Sequence, residues 1–134
     1  MDTASKEIRW KQLFDNFDKV LMILKKYNRT TLDRDIERAG YIHYFEMAME
    51  HSKKVLHAYL EAKNIHVDTY REAVKEMTKL GVIEEQRPWF KAHNRRNLPM
   101  YIYHEKLSKE LAQEVHDHYV PMLNELYEKL RANF

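Results

Sequence analysis

The chain contains no cysteine in its 134 residues. Disulfides and thiolate chemistry are therefore excluded. Glycine occurs only twice and proline three times. Both residues interrupt helices, so their scarcity predicts long helices joined by few turns. Excess charge is also small: 23 basic residues against 21 acidic ones leave a net charge of +2. That balance does not by itself imply a nucleic-acid partner. No run is long and apolar enough to span a bilayer, and residues 1–7 lack the apolar stretch of a secretory signal. A cytoplasmic protein with no membrane partner is expected. Low-complexity stretches, internal repeats, a glycine-rich phosphate loop and a Ser-His-Asp spacing are all missing.

What is present is helical periodicity. The length suits one domain covering residues 1–134, large enough to bury a core without staples. Trp10, Leu13, Phe14, Phe17, Val20, Leu21 and Leu24 repeat at three and four, predicting a first helix over about residues 5–27 capped by Ser5. A second is expected over about residues 33–62, with Ile42, Phe45, Met49, Val55, Leu56 and Leu60 inward. Gly40 inside it marks either close approach by a neighbouring helix backbone or a tolerated defect. Asp68 is the expected cap of a third helix that stops at Gly81. A fourth is expected over about residues 84–97, with Pro88 in its first turn. A fifth is expected over about residues 104–130, kinked or broken at Pro121. No segment alternates as a strand does. The predicted fold is all-α, an antiparallel up-and-down bundle of about four to five helices.

The break between the last two predicted helices carries the sequence Arg96-Asn97-Leu98-Pro99-Met100-Tyr101-Ile102-Tyr103-His104-Glu105. Polar side chains converging on such a break form a natural anion site. Metal binding is not expected. His43 and His51 are two helical turns apart, and His116 and His118 point to different faces.

This stretch closely resembles the R-N-x-x-x-H-x-Y signature of HEPN-type proteins, specifically their nucleotidyltransferase substrate-binding class. Tyr101 stands where the family carries its histidine. The run from Arg38 to Glu46 is similar to the family's G-x-I-x-x-F-E run. Tyr70-Arg71-Glu72-Ala73-Val74 and Lys79-Leu80-Gly81-Val82-Ile83 resemble its third-helix region and exit, and Trp89 its fourth helix. The resemblance implies a helical homodimer with a cleft at its interface, and a minimal nucleotidyltransferase encoded nearby as partner. Carried over by position, Arg96 and Asn97 are the polar pair, Tyr103 is the motif tyrosine and Glu46 the acidic residue of the second helix. In some relatives the bundle is a ribonuclease toxin silenced by adenylylation of the motif tyrosine, here Tyr103.

Metal-independent RNA cleavage needs a base for the 2′-hydroxyl, an acid for the leaving group and a cation on the phosphate. Histidine titrates near neutrality, whereas tyrosine has an unperturbed pKa of roughly 10. Replacing a histidine base by tyrosine removes about 10²–10⁴-fold in rate, the usual share of general acid–base catalysis. Arg96 still binds phosphate through its planar fork, and Asn97, Tyr101 and Tyr103 supply further polar contacts.

The expected function is thus a non-catalytic substrate- or nucleotide-binding subunit. It needs no cofactor of its own, and its partner transferase brings nucleotide and magnesium. The alternative is a HEPN ribonuclease using Arg96 with His93 or His104. Simpler roles stand beside each assignment. Arg96 pairs with Glu46 as a structural cation, Tyr101 and Tyr103 pack at a dimer interface, and His93 and His104 are exposed polar residues. Arg87, Lys91, Arg95 and Arg96 form either a weak phosphate-attracting stripe or a solvated face.

Overall fold

The computed structural model describes residues 2–28, 32–95 and 103–134. Among these residues there are helices and no strand. α1 (Thr3–Tyr27) and α2 (Asp35–Ala62) pair over most of their length and form the largest contact in the fold. Trp10 meets Tyr59 edge-on at 5.0 Å near one end. At the other end the Tyr41 hydroxyl donates to Asn28 Oδ1 at 2.6 Å. The two helices are therefore antiparallel.

α3 (Tyr70–Lys79) and α4 (Arg87–Arg95) follow. The chain then runs through α5 (Glu105–Glu114), a π-helical segment (Val115–Tyr119) and α6 (Val120–Arg131) without interruption. Taken as one rod, those three pieces make the last of five helices among the described residues, an up-and-down bundle. Phe14 stacks on Tyr127 at 5.2 Å, Lys25 Nζ donates to Asn124 Oδ1 at 2.7 Å, and Phe45 stacks on Tyr119 at 5.4 Å. These contacts seat the rod against both long helices. One apolar cluster joins all of them, with Trp10, Phe14, Phe17, Phe45 and Leu56 fully buried.

Several local details differ from expectation. The cap of α1 is Asp2 rather than Ser5: its carboxylate accepts the Ser5 N–H at 2.7 Å. A charged acceptor suits the positive end of a helix better than a hydroxyl does. α2 starts at Asp35 after the extended Arg34, not at Asp33. α3 is capped by Thr69, whose hydroxyl accepts the Glu72 N–H at 3.1 Å, while Glu72 accepts from the Asp68 N–H. Gly81 ends that segment as expected, with φ of 78°. Its N–H reaches Thr78 O and the Val82 N–H reaches Met77 O, both at 3.0 Å. That bond pair needs a left-handed residue, which glycine adopts without a Cβ clash.

Gly40 marks no close approach among the described residues: a Cβ built there would meet none of their atoms within 4 Å, as for a tolerated defect. Pro121 does not break the last helix. It occupies the second position of α6, directly after the π segment. There the ladder lengthens, with the Val120 N–H bonded to Val115 O. The extra residue in that turn re-registers the ladder before the proline, whose missing N–H is then not needed.

Candidate functional site

Of the residues singled out in the sequence, Arg96, Asn97 and Tyr101 lie outside the described residues. The flanks of the motif are described. Tyr103 is 81% exposed, so its hydroxyl is open to reagents. His104 is exposed and takes the N-cap position of α5 in extended backbone. His93, expected as an exposed residue, is half-buried. Its ring stacks on Tyr70 at 4.2 Å with 16° between planes. Tyr70 is itself anchored, its hydroxyl donating to Trp89 O at 3.1 Å. His93 is thereby a packing partner between α3 and α4. Glu46 is partly buried on α2, and its expected pairing with Arg96 falls outside the described residues.

Among the described residues the buried cation is Arg38, which sequence reasoning missed. It is 2% exposed. Its guanidinium donates to Leu32 O at 3.0 Å, Asp33 O at 2.8 Å, Asp35 Oδ1 at 2.6 Å and Ser108 Oγ at 3.2 Å. The first three acceptors belong to the entry of α2 and the last to α5. Arg38 thus ties the start of α2 to the helix that opens beside Tyr103. Glu105 approaches the same guanidinium at 4.0 Å. A hydrogen bond from Lys109 and the charges of Lys109 and Arg38 hold its carboxyl below the usual range. A signal existed in the sequence: Asp35 and Arg38 stand three apart at a helix start. Buried arginines are rare, which makes that pair read as surface.

Beside the motif, α4 packs against the π segment. Arg95, the last described residue before Arg96, places Nε 2.8 Å from Glu114 Oε2. The Tyr119 hydroxyl donates to the same oxygen at 3.1 Å. Burial and the neighbouring Glu114 push the Tyr119 hydroxyl's pKa up, and Arg95 offsets part of that rise.

A groove of about 540 Å³ opens between α4 and the end of the rod. Its volume falls within the roughly 300–1,000 Å³ of small-molecule sites. It is lined by Arg87, Trp89 and Lys91 of α4 and by Glu114, Asp117 and Met122 of the rod. The π segment contributes Asp117, His118 and Tyr119 to this lining. Its wider turn carries Asp117 and precedes the proline that forms part of the lining. Sequence periodicity could not show it, because a π turn has no apolar signature of its own. Pro121 in a helical pattern was the available hint.

Among the described residues, no three histidine, aspartate or glutamate side chains are grouped as metal ligands. No described helix is long and apolar enough to cross a membrane. The groove combines acidic and basic side chains with apolar ones.

A search of curated proteins returns no match to this chain. Residues 12–132 match the family model described as "Nucleotidyltransferase substrate binding protein like". The match takes in both long helices, the groove and the motif, and the chain belongs to this family.

Proposed function

We propose that this chain is the substrate-holding, non-catalytic subunit of a two-protein nucleotidyltransferase. It forms a homodimer and binds a minimal transferase that brings the nucleotide and magnesium. Arg96 and Asn97, with Tyr101 and Tyr103, line a cleft that takes the phosphate-bearing part of a ligand. The observation that carries this reading is a groove of small-molecule size whose Glu114 pairs with Arg95, the residue before the motif in the sequence. The family to which the chain belongs supports it. So does the tyrosine at position 101: a phenol that keeps its proton near neutral pH binds but does not act as a base.

Charge also argues for a small ligand over an RNA strand. Glu84, Glu85, Glu114, Asp117 and Glu125 all border the groove. A polyanion entering along Arg87 and Lys91 would run against those carboxylates.

The test is co-expression with the neighbouring transferase followed by size exclusion. One peak containing both proteins at micromolar concentration is expected, and two separate peaks reject the assignment.

The second reading is a HEPN ribonuclease toxin inhibited by adenylylation of Tyr103. The exposure of His104 beside an exposed Tyr103 favours it. Growth arrest on induction, abolished by Arg96→Ala, would support it. A purified dimer that leaves RNA intact for hours rejects it. Incubation with transferase and ATP tests the modification separately: an adenylyl mass gain on the Tyr103 peptide, lost in Tyr103→Phe, is the supporting result.

A further inference from the structure

The groove beside the π segment is lined by opposite charges that do not close on each other. Glu114 is taken by Arg95 at 2.8 Å. Glu84 and Glu125 share Lys129 at 3.4 and 3.5 Å. Two cations thus serve three of the five carboxylates of the lining, Glu84, Glu114 and Glu125. Arg87 and Lys91 remain on the α4 wall, one turn apart and on the same face. Neither makes an ion pair among the described residues. The rod contributes Asp117, which accepts from Gln113 Nε2 at 3.0 Å. His116 is 3.9 Å away. The amide adds no counter-charge, His116 supplies one only when protonated, and the carboxylate is 44% exposed. Glu85 adds a second acidic group to the lining, and His118 stands beside Asp117. Trp89, Tyr119, Pro121 and Met122 make an apolar floor.

A ligand that satisfies this surface carries an anionic group for Arg87 and Lys91, an amine for Asp117, and an apolar body to cover the floor. A pure anion leaves the acidic wall unmet, and a pure cation faces two unpaired basic side chains. We propose that the groove binds a small dipolar molecule, with an amine and an anionic group at opposite ends of an apolar spacer. This names the substrate class of the subunit proposed above and rests on that reading for its biological role. The binding itself needs no partner.

The test uses the chain alone, with three probes of one length: 6-aminohexanoate, hexylamine and hexanoate. Amide shifts in a nitrogen-15 spectrum report where each binds. 6-Aminohexanoate is expected to shift residues 87–91 and 114–122. It should bind about tenfold more tightly than either singly charged probe, since one extra charge-assisted bond is worth that much. Asp117→Asn should reduce the dipolar probe to the level of hexanoate. Arg87→Ala with Lys91→Ala should reduce it to the level of hexylamine. Circular dichroism and thermal melting confirm that the variants fold. Equal affinity for hexylamine and 6-aminohexanoate, or shifts confined to other faces, overturns the proposal. A chain that co-elutes with the transferase but binds no dipolar probe loses this substrate class and keeps the assigned role. A chain that binds the probe but forms no complex does the reverse.

Discussion

Arg95 Nε lies 2.8 Å from Glu114 Oε2, fastening the last described turn of α4 to the turn where α5 passes into the π segment. The two side chains are 34% and 30% exposed, so solvent screens the pair. Its worth to stability is about 1 kcal/mol or less. Its consequence is positional, because the next residue is the first of the motif. Glu114→Gln is predicted to change unfolding stability by about 1 kcal/mol or less and to weaken association with the transferase. Urea unfolding and a pull-down titration measure the two separately. Large destabilisation with unchanged association would make Glu114 a packing residue only.

Arg38 should behave in the opposite way. Arg38→Ala removes a guanidinium that bonds two carbonyls, a carboxylate and a hydroxyl. It also leaves a cavity, so a loss of about 2–4 kcal/mol is expected. Lysine should restore only part of it, since one ammonium cannot reach acceptors fanned across a planar fork. Ser108→Ala, which removes a single acceptor, should cost about 1 kcal/mol. Chemical denaturation of the three variants checks the order.

The two glycines are predicted to respond with opposite signs. Gly40 is helical, with open space around it among the described residues. Gly40→Ala should therefore stabilise the protein by about 0.5–1 kcal/mol through helix propensity and a less flexible unfolded chain. Gly81 has φ of 78°, where a Cβ is strained. Gly81→Ala should destabilise by about 1 kcal/mol. Thermal melts of both variants decide the matter.

Stability should also fall in mildly acid solution. Burial holds the imidazoles of His51 and His57 on α2 below the usual histidine value, with help from Lys54 and Lys53 respectively. The unfolded chain then binds protons more readily than the folded one. Stability from this source is intact above the unfolded value of about 6.5 and is lost as pH falls through it. The carboxyls of Asp2 and Glu105 are also lowered, from 3.8 and 4.5. Their contribution is lost only at more acid pH, outside this window. A lower melting temperature at about pH 5.5 than at about pH 7.5 is expected. The difference should shrink in the His51→Gln, His57→Gln double variant. An unchanged difference would assign it to other groups.

The helices were legible because their apolar faces repeat over many turns: Trp10 to Leu24 in α1 and Leu107 to Leu130 in the final rod read correctly from spacing alone. Helix starts were less legible. Asp2 and Ser5, or Asp68 and Thr69, are both competent caps, and the choice depends on where the chain enters. Gly40 was ambiguous because a missing side chain signals both a close contact and a tolerated gap. Arg96, Asn97 and Tyr101 of the motif lie outside the described residues. Arg38 was not legible, because three of its four acceptors are two backbone carbonyls and a serine on α5, 70 positions further along the chain. The groove is lined by residues of α4 and of the rod, and periodicity does not show which helix faces meet.

The central claim is the proposed pairing of this chain with a transferase. Hydrogen exchange of this chain, alone and mixed with the transferase, tests it most directly. Slowed exchange concentrated in residues 87–95 and 105–119 is the predicted result. Unchanged exchange in those segments, with the partner in excess, would contradict the account.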